Sequence, residues 1–167
     1  EGLRLIKYSC DKNCPHGINT FAYLIDMGIA GIEKDESRSF DYYKKAAELG
    51  NYVAMNNVGT FYKDGNIVEQ DLDLAIKYFQ FAYNGGSLIA ANNLANIYSE
   101  EKYNRIDKKK AAKLFKKSFD FGFKRSLNDY CWLLLKDEEN LEKNANDFFE
   151  YSQLIFNENI LQIFLGF

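Results

Sequence analysis

A repetition with a period of 36 residues constrains this chain more than any other feature. A shift of 36 aligns Gly50 with Gly86 and Gly122, Asp35 with Asp71 and Asp107, and Tyr43 with Phe79 and Phe115. Ser39, Ala75 and Ala111 share a column, as do Ala46, Ala82 and Ser118. Earlier in each unit, Ala54 aligns with Ala90 and Ser126, Gly59 with Ala95 and Cys131, and Tyr62 with Tyr98. Small, acidic and aromatic residues each keep their own columns, so the chain is a series of like units and not one closed globule.

Each unit reads as two helices. Val53, Met55, Val58, Phe61 and Tyr62 recur at helical spacing, and Asp64-Gly65-Asn66 breaks the pattern as turn residues do. Asp71 is the expected N-cap of the next helix, with Leu72, Ala75, Ile76, Phe79 and Ala82 on its apolar face. Asn84-Gly85-Gly86 ends it, where glycine adopts the left-handed conformation at little cost. Glycine inside a helix costs about 1 kcal/mol relative to alanine. Gly59, aligned with Ala95, therefore predicts a close neighbour at that point, with Ala75 and Ala82 as the facing small positions and Tyr62 and Phe79 filling the gaps. A lone pair of short helices buries too little surface to stand alone, so neighbouring units must stack.

These columns resemble the Sel-one-like repeat family, a relative of the tetratricopeptide repeat. The second unit carries the run from Ala54 through Asn57, Gly59, Tyr62 and Gly65, then Asp71, Ala75, Tyr78-Phe79, Ala82 and Gly86. The first ends Tyr42-Tyr43-Lys44-Lys45-Ala46-Ala47-Glu48-Leu49-Gly50. The resemblance implies an all-α, right-handed α-solenoid of stacked antiparallel helix pairs. Four repeats are expected at 14–50, 51–86, 87–122 and 123–156, within one repeat domain over 1–167. Residues 1–13 read as the second helix of a preceding unit, and 157–167 as a half-repeat or cap. The first loop has one extra residue, through Gly28, Gly31 and Ile32 to Asp35. The third loop lacks glycine at Glu100-Glu101-Lys102, and the fourth reads as two residues shorter around 137–141, which places Phe149 in the aromatic core column. The apolar end, Ile160-Leu161 and Ile163-Phe164-Leu165, reads as packing on something outside the sequence or as a buried cap. The whole resembles an excised fragment of a longer protein.

Composition narrows the function. The net charge is −3, which gives no electrostatic footprint for nucleic acid. Lys108, Lys109, Lys110, Lys113, Lys116 and Lys117 read as a solvated helix face. No apolar run reaches the length of a membrane span. One proline among 167 residues suits helices joined by glycine turns. Three cysteines, Cys10, Cys14 and Cys131, are an odd set for a disulfide framework and favour free thiols in a reducing compartment such as the cytoplasm. His16 is the only histidine, and with Cys10 and Cys14 it leaves a zinc site one ligand short. No phosphate loop or nucleophile elbow occurs, and Glu33, Asp35, Glu36, Glu100 and Glu101 read as loop charges. Neither catalysis nor a cofactor is expected.

The candidate site is a partner-binding face. The resemblance places the first helix of each repeat along a concave groove, and it implies an adaptor for a protein or peptide within a larger complex. By phase, Asn19, Asn56, Asn92 and Asn128 form one groove column, continued by Gln162. An amide both donates and accepts, so such a ladder can hold a peptide backbone. Asparagine is also abundant here, 17 residues, so composition is the competing explanation. Replacing Asn56 and Asn92 with Ala is expected to abolish partner capture without changing the melt. The next column is Tyr23, Thr60, Asn96 and Trp132, with Trp132 either an interface anchor or core beside Leu133 and Leu134. Asp26, Lys63, Ser99 and Leu135 follow with no consistent charge, so a basic clamp for a chain terminus is not expected. The alternative is an enzyme or small-ligand binder like the cysteine-rich, β-lactam-binding branch of the family, but that branch's paired repeat cysteines are absent here.

Overall fold

The computed structural model describes residues 1–136 and 145–154. The described residues are helical apart from their connections. The helices are α1 (Gly2–Asp11), α2 (Pro15–Met27), α3 (Glu36–Glu48), α4 (Tyr52–Asp64), α5 (Leu72–Asn84), α6 (Leu88–Ser99), α7 (Lys108–Asp120) and α8 (Arg125–Lys136). A 3-10 turn spans Glu101–Tyr103, and residues 145–154 form a further helix, α9. The chain divides into two compact units, Glu1–Ala90 and Ala91–Phe167.

The aspartate column caps helices as its phase predicts. The carboxylates of Asp35, Asp71 and Asp107 accept from the amides of Arg38, Leu74 and Lys110, each at 2.9 Å. Each aspartate's own N–H also closes its loop, donating to the carbonyl of Ile25, Tyr62 or Tyr98 in turn. Both ends of the loop are thereby pinned, and length differences are taken up between them. The third loop, which lacks glycine, turns through Asn104 at φ +50 after the 3-10 turn. Asparagine tolerates this left-handed conformation better than most residues.

The glycine column ends the second helices. Gly50, Gly86 and Gly122 have φ of +88, +95 and +102. The amide of the residue after each, Asn51, Ser87 or Phe123, bonds back to Ala46, Ala82 or Ser118. Helix α1 ends the same way, with Asn13 at φ +53 and the Cys14 amide on the Ser9 carbonyl.

In the first unit, α1 packs on α2, α2 on α3, α3 on α4 and α4 on α5. Its core holds Ile18, Ala22, Phe40, Tyr43, Ala46, Ala47, Ala54 and Val58. The close approach predicted at Gly59 is an aromatic ring: an added Cβ would lie 2.8 Å from two ring carbons of Phe79. Phe40 meets Phe61 edge-on at 5.3 Å, and Tyr62 stacks on Tyr78 at 5.9 Å.

In the second unit α7 packs on α8 around Ala95, Ile97, Ala111, Phe115, Leu127 and Cys131, all buried. Here one expectation fails. Phe149 is 64% exposed, while Tyr151 is buried against Phe119 and Tyr130 at 5.8 and 5.4 Å. Tyr151 lies 36 residues after Phe115, so the unbroken period, and not a loop shortened by two, sets the inward face of α9. The loop at 137–141, the 157–167 half-repeat with its apolar run, and Gln162 lie outside the described residues.

Candidate functional site

The asparagine column is not a uniform solvent-facing ladder. Asn128 is exposed and Asn19 half-buried, but Asn56 and Asn92 are only 8% and 4% exposed. The fate of Asn92 is fully visible. Its amide nitrogen donates to Asp129 at 3.1 Å, and its oxygen accepts from the Ser126 hydroxyl at 2.6 Å. The Asn56 amide nitrogen meets the Asn57 oxygen at 3.5 Å. Asn92 thus braces α6 against α8, so replacing it with Ala must disturb the fold as well as any partner. The phase of a residue gives its helix face; it does not say whether the next repeat covers that face.

Asn19 shows what this bracing requires. Its Oδ1 is buried and unpartnered. The repeat position that supplies Ser126 to Asn92 holds Ala54 in the first unit, which has no hydroxyl to offer.

The second column stays open to solvent. Tyr23 is 48% exposed, Thr60 and Asn96 are half-buried, and Trp132 is 63% exposed. Trp132 is therefore a surface residue, and its neighbours Leu133 and Leu134 are the core. Thr60 and Asn96 each line a cavity, and both cavities occupy the same place in the repeat.

In the first unit a cavity of about 150 Å³ has Asp26, Glu36 and Tyr43 on one side and Asn57, Thr60, Phe61 and Asp64 on the other. In the second unit Phe115, Asp129, Trp132 and Leu133 line a groove of about 630 Å³ at the positions of Tyr43, Asn57, Thr60 and Phe61. Ser99, Lys108 and Lys136 stand in the second unit where the first has Asp26, Glu36 and Asp64. The geometry repeats while the charge at two positions inverts.

Electrostatics distinguish the small cavity further. Burial holds the Asp26 carboxyl above its usual range, partly offset by the Ser39 hydroxyl, which donates to it at 3.4 Å. Burial also raises the Tyr43 phenol, whose hydroxyl is hydrogen-bonded to Asn57. Glu36 pairs with Lys34 at 2.5 Å and Asp64 with Lys63 at 3.1 Å. Sequence reasoning named Asp26 only in a column without consistent charge and did not single out Glu36, Asn57 or Asp64 as a site. Comparing loop-flanking positions repeat by repeat would have found them.

The lysines of α7 are exposed. Cys10, Cys14 and Cys131 are free thiols, with Cys10 donating to the Gly17 carbonyl at 3.4 Å. Among the described residues no group of three or more His, Cys, Asp or Glu side chains is placed to hold a metal, and no helix is long and apolar enough to cross a membrane.

Stacked helix pairs joined by capped glycine turns define an α-helical repeat protein. The Sel1 repeat profile matches residues 21–51, 53–87 and 88–120, more than half of the sequence, and the chain belongs to that family. Its fold is that of a Sel1 repeat protein from Oxalobacter formigenes, with a TM-score of 0.78 at 21% identity. That match covers 93% of this chain and 63% of the other. It is equally similar to c5321, a protective antigen of uropathogenic Escherichia coli displaying an SLR fold, with a TM-score of 0.78 and 21% identity over 89% of this chain and 32% of the antigen. Helicobacter pylori cysteine rich protein B aligns with a TM-score of 0.57 and 19% identity over 77% of this chain and 96% of its own. The chain thus spans less than two thirds of the first two structures, and likeness at this identity concerns the fold. No curated protein is similar in sequence. Sel1 repeat proteins are generally non-catalytic scaffolds for protein–protein interaction.

Proposed function

We propose that this chain is a non-catalytic adaptor that holds an extended segment of a partner protein on the face carrying the first helix of each repeat. The observation that carries the reading is Trp132, 63% exposed over a groove that it shares with Asn96, Ser99 and Leu133. A large apolar ring costs free energy when left in water, and exposed tryptophan is enriched among residues that anchor interfaces. Asn96 adds an amide that can both donate to and accept from a peptide backbone. Together they provide one apolar anchor and one backbone contact, the combination that extended-peptide recognition uses. Asn128 and Tyr23 remain available for contact, whereas Asn56 is buried and Asn92 serves the fold that presents it. A net charge of −3 supports a protein partner over nucleic acid.

The only tryptophan makes the test direct. A random peptide library is selected on the immobilised chain, and the selected peptides are titrated while Trp132 emission is followed. Binding should shift the emission. Separately, Trp132→Ala should weaken affinity by about tenfold or more, the scale of a hot-spot anchor, with an unchanged thermal melt. Peptides that bind the alanine variant equally well would place the partner surface elsewhere.

A further inference from the structure

The two like-built cavities differ in a way that specifies a ligand for the smaller one. Resting on the adaptor reading, we propose that the cavity of the first unit receives the cationic head of a lysine or arginine side chain from the partner segment. Three carboxylates reach it, from Asp26, Glu36 and Asp64, and no basic side chain lines it. Glu36 and Asp64 are held by Lys34 and Lys63, neither of which lines the cavity. Asp26 is half-buried and, among the described residues, has no ion-pair partner. The rings of Tyr43 and Phe61 supply apolar wall for an alkyl stem and π faces that attract a cation. Asn57 and Thr60 add oxygen acceptors for the N–H groups. A volume of about 150 Å³ has room for one such side chain and not for a folded ligand.

The second unit is the internal control. At the same two repeat positions it carries Lys108 and Lys136, so nothing in the repeat geometry demands acids at Glu36 and Asp64. The larger groove mixes Glu100, Glu101 and Asp129 with Lys102, Lys108 and Lys136, whereas the smaller cavity is lined by acids and no basic side chain. Partial burial makes the Asp26 carboxylate costly to keep ionised, an effect that Lys34 offsets only in part, and an incoming ammonium or guanidinium would lower that cost further.

The experiment titrates the ¹⁵N-labelled chain with N-acetyl-lysine methylamide and, in parallel, with the uncharged N-acetyl-norleucine methylamide. The lysine probe should move the amides of Asn57, Thr60 and Asp64 saturably, and the norleucine probe should leave them in place. Asp26→Asn, which keeps the shape and removes the charge, should weaken lysine binding at least fivefold; Glu36→Gln, at the rim, should weaken it less. Equal shifts from norleucine, non-saturating shifts at every exposed carboxylate, or unchanged binding in Asp26→Asn would each overturn the site. Failure of the peptide selection at Trp132 together with intact lysine binding would instead sink the adaptor reading and leave the cation site standing.

Discussion

A single hydroxyl separates a satisfied asparagine from an orphaned one. Asn92 has both ends of its amide engaged because Ser126 stands at the repeat position that is Ala54 one unit pair earlier. Leaving a buried acceptor unsatisfied costs about 1–3 kcal/mol, and a new hydrogen bond contributes about 1. Ser126→Ala should therefore destabilise the chain by about 1–3 kcal/mol, whereas Ala54→Ser should stabilise it by up to about 1 by giving Asn19 Oδ1 a donor. Urea denaturation of the two variants measures both, and a stabilising Ser126→Ala would refute the bracing role. The asparagine positions were legible in the sequence, but their environment was not. Whether an amide meets water or a neighbour depends on one residue some 34 positions away. Asp26 yields a pH test on the same scale. Its folded carboxyl lies above its unfolded value of 3.8, so the folded state favours the proton. The resulting stability is present below the unfolded value and is lost as pH rises through the folded one. Asp26→Asn should accordingly melt higher than the parent at pH 7, and the gap should close as pH falls towards 4.

Helices here are positioned by what their smallest residues admit. Gly59 exists because the Phe79 ring occupies the space that a Cβ needs, with two ring carbons 2.8 Å away. Alanine would recover about 1 kcal/mol of helix propensity. Overpacking a close-packed site typically costs about 1–3 kcal/mol, so Gly59→Ala should be destabilising on balance. Pairing it with Phe79→Leu, which withdraws the ring, should cost less than the sum of the two single changes. Chemical denaturation of the double-mutant cycle decides the point, and strict additivity would rule out the steric explanation. This element was legible from sequence in part: a glycine mid-helix announces a close neighbour, but the expected facing residues were Ala75 and Ala82, and the group that meets Gly59 is the Phe79 ring. The loops were legible at their ends only. Capping aspartates and the recurring bond to Ile25, Tyr62 or Tyr98 fix the exits, while the path between them follows local chemistry such as the left-handed Asn104.

Across the whole molecule the period is the strongest rule, stronger than any local alignment. Reading the fourth loop as two residues short sacrifices the period to match Phe149 to the aromatic column; the structure keeps the period and buries Tyr151. The physical reason lies in the stacking of repeats. Each unit gains its burial from its neighbours, so an aromatic is selected by where the preceding pair leaves a gap, here between Phe119 and Tyr130. A tyrosine in that gap serves as well as phenylalanine provided its hydroxyl finds polar company, and Tyr151 lies beside Lys116, whose ammonium is raised by bonding to it. The same rule explains why the cavities recur in phase while their charges do not. Stacking dictates backbone and core positions and leaves the cavity rim free to diverge, so the fold was readable from one sequence and the charge of the site was not. The two registers predict opposite outcomes for two neighbouring residues. With the period intact, Tyr151→Ala should cost about 3–5 kcal/mol as a buried aromatic truncation does, and Phe149→Ala should stay within about 0.5 kcal/mol, as exposed positions do. Thermal melts of the two variants side by side read the register directly. A larger loss from Phe149 than from Tyr151 would restore the shortened loop.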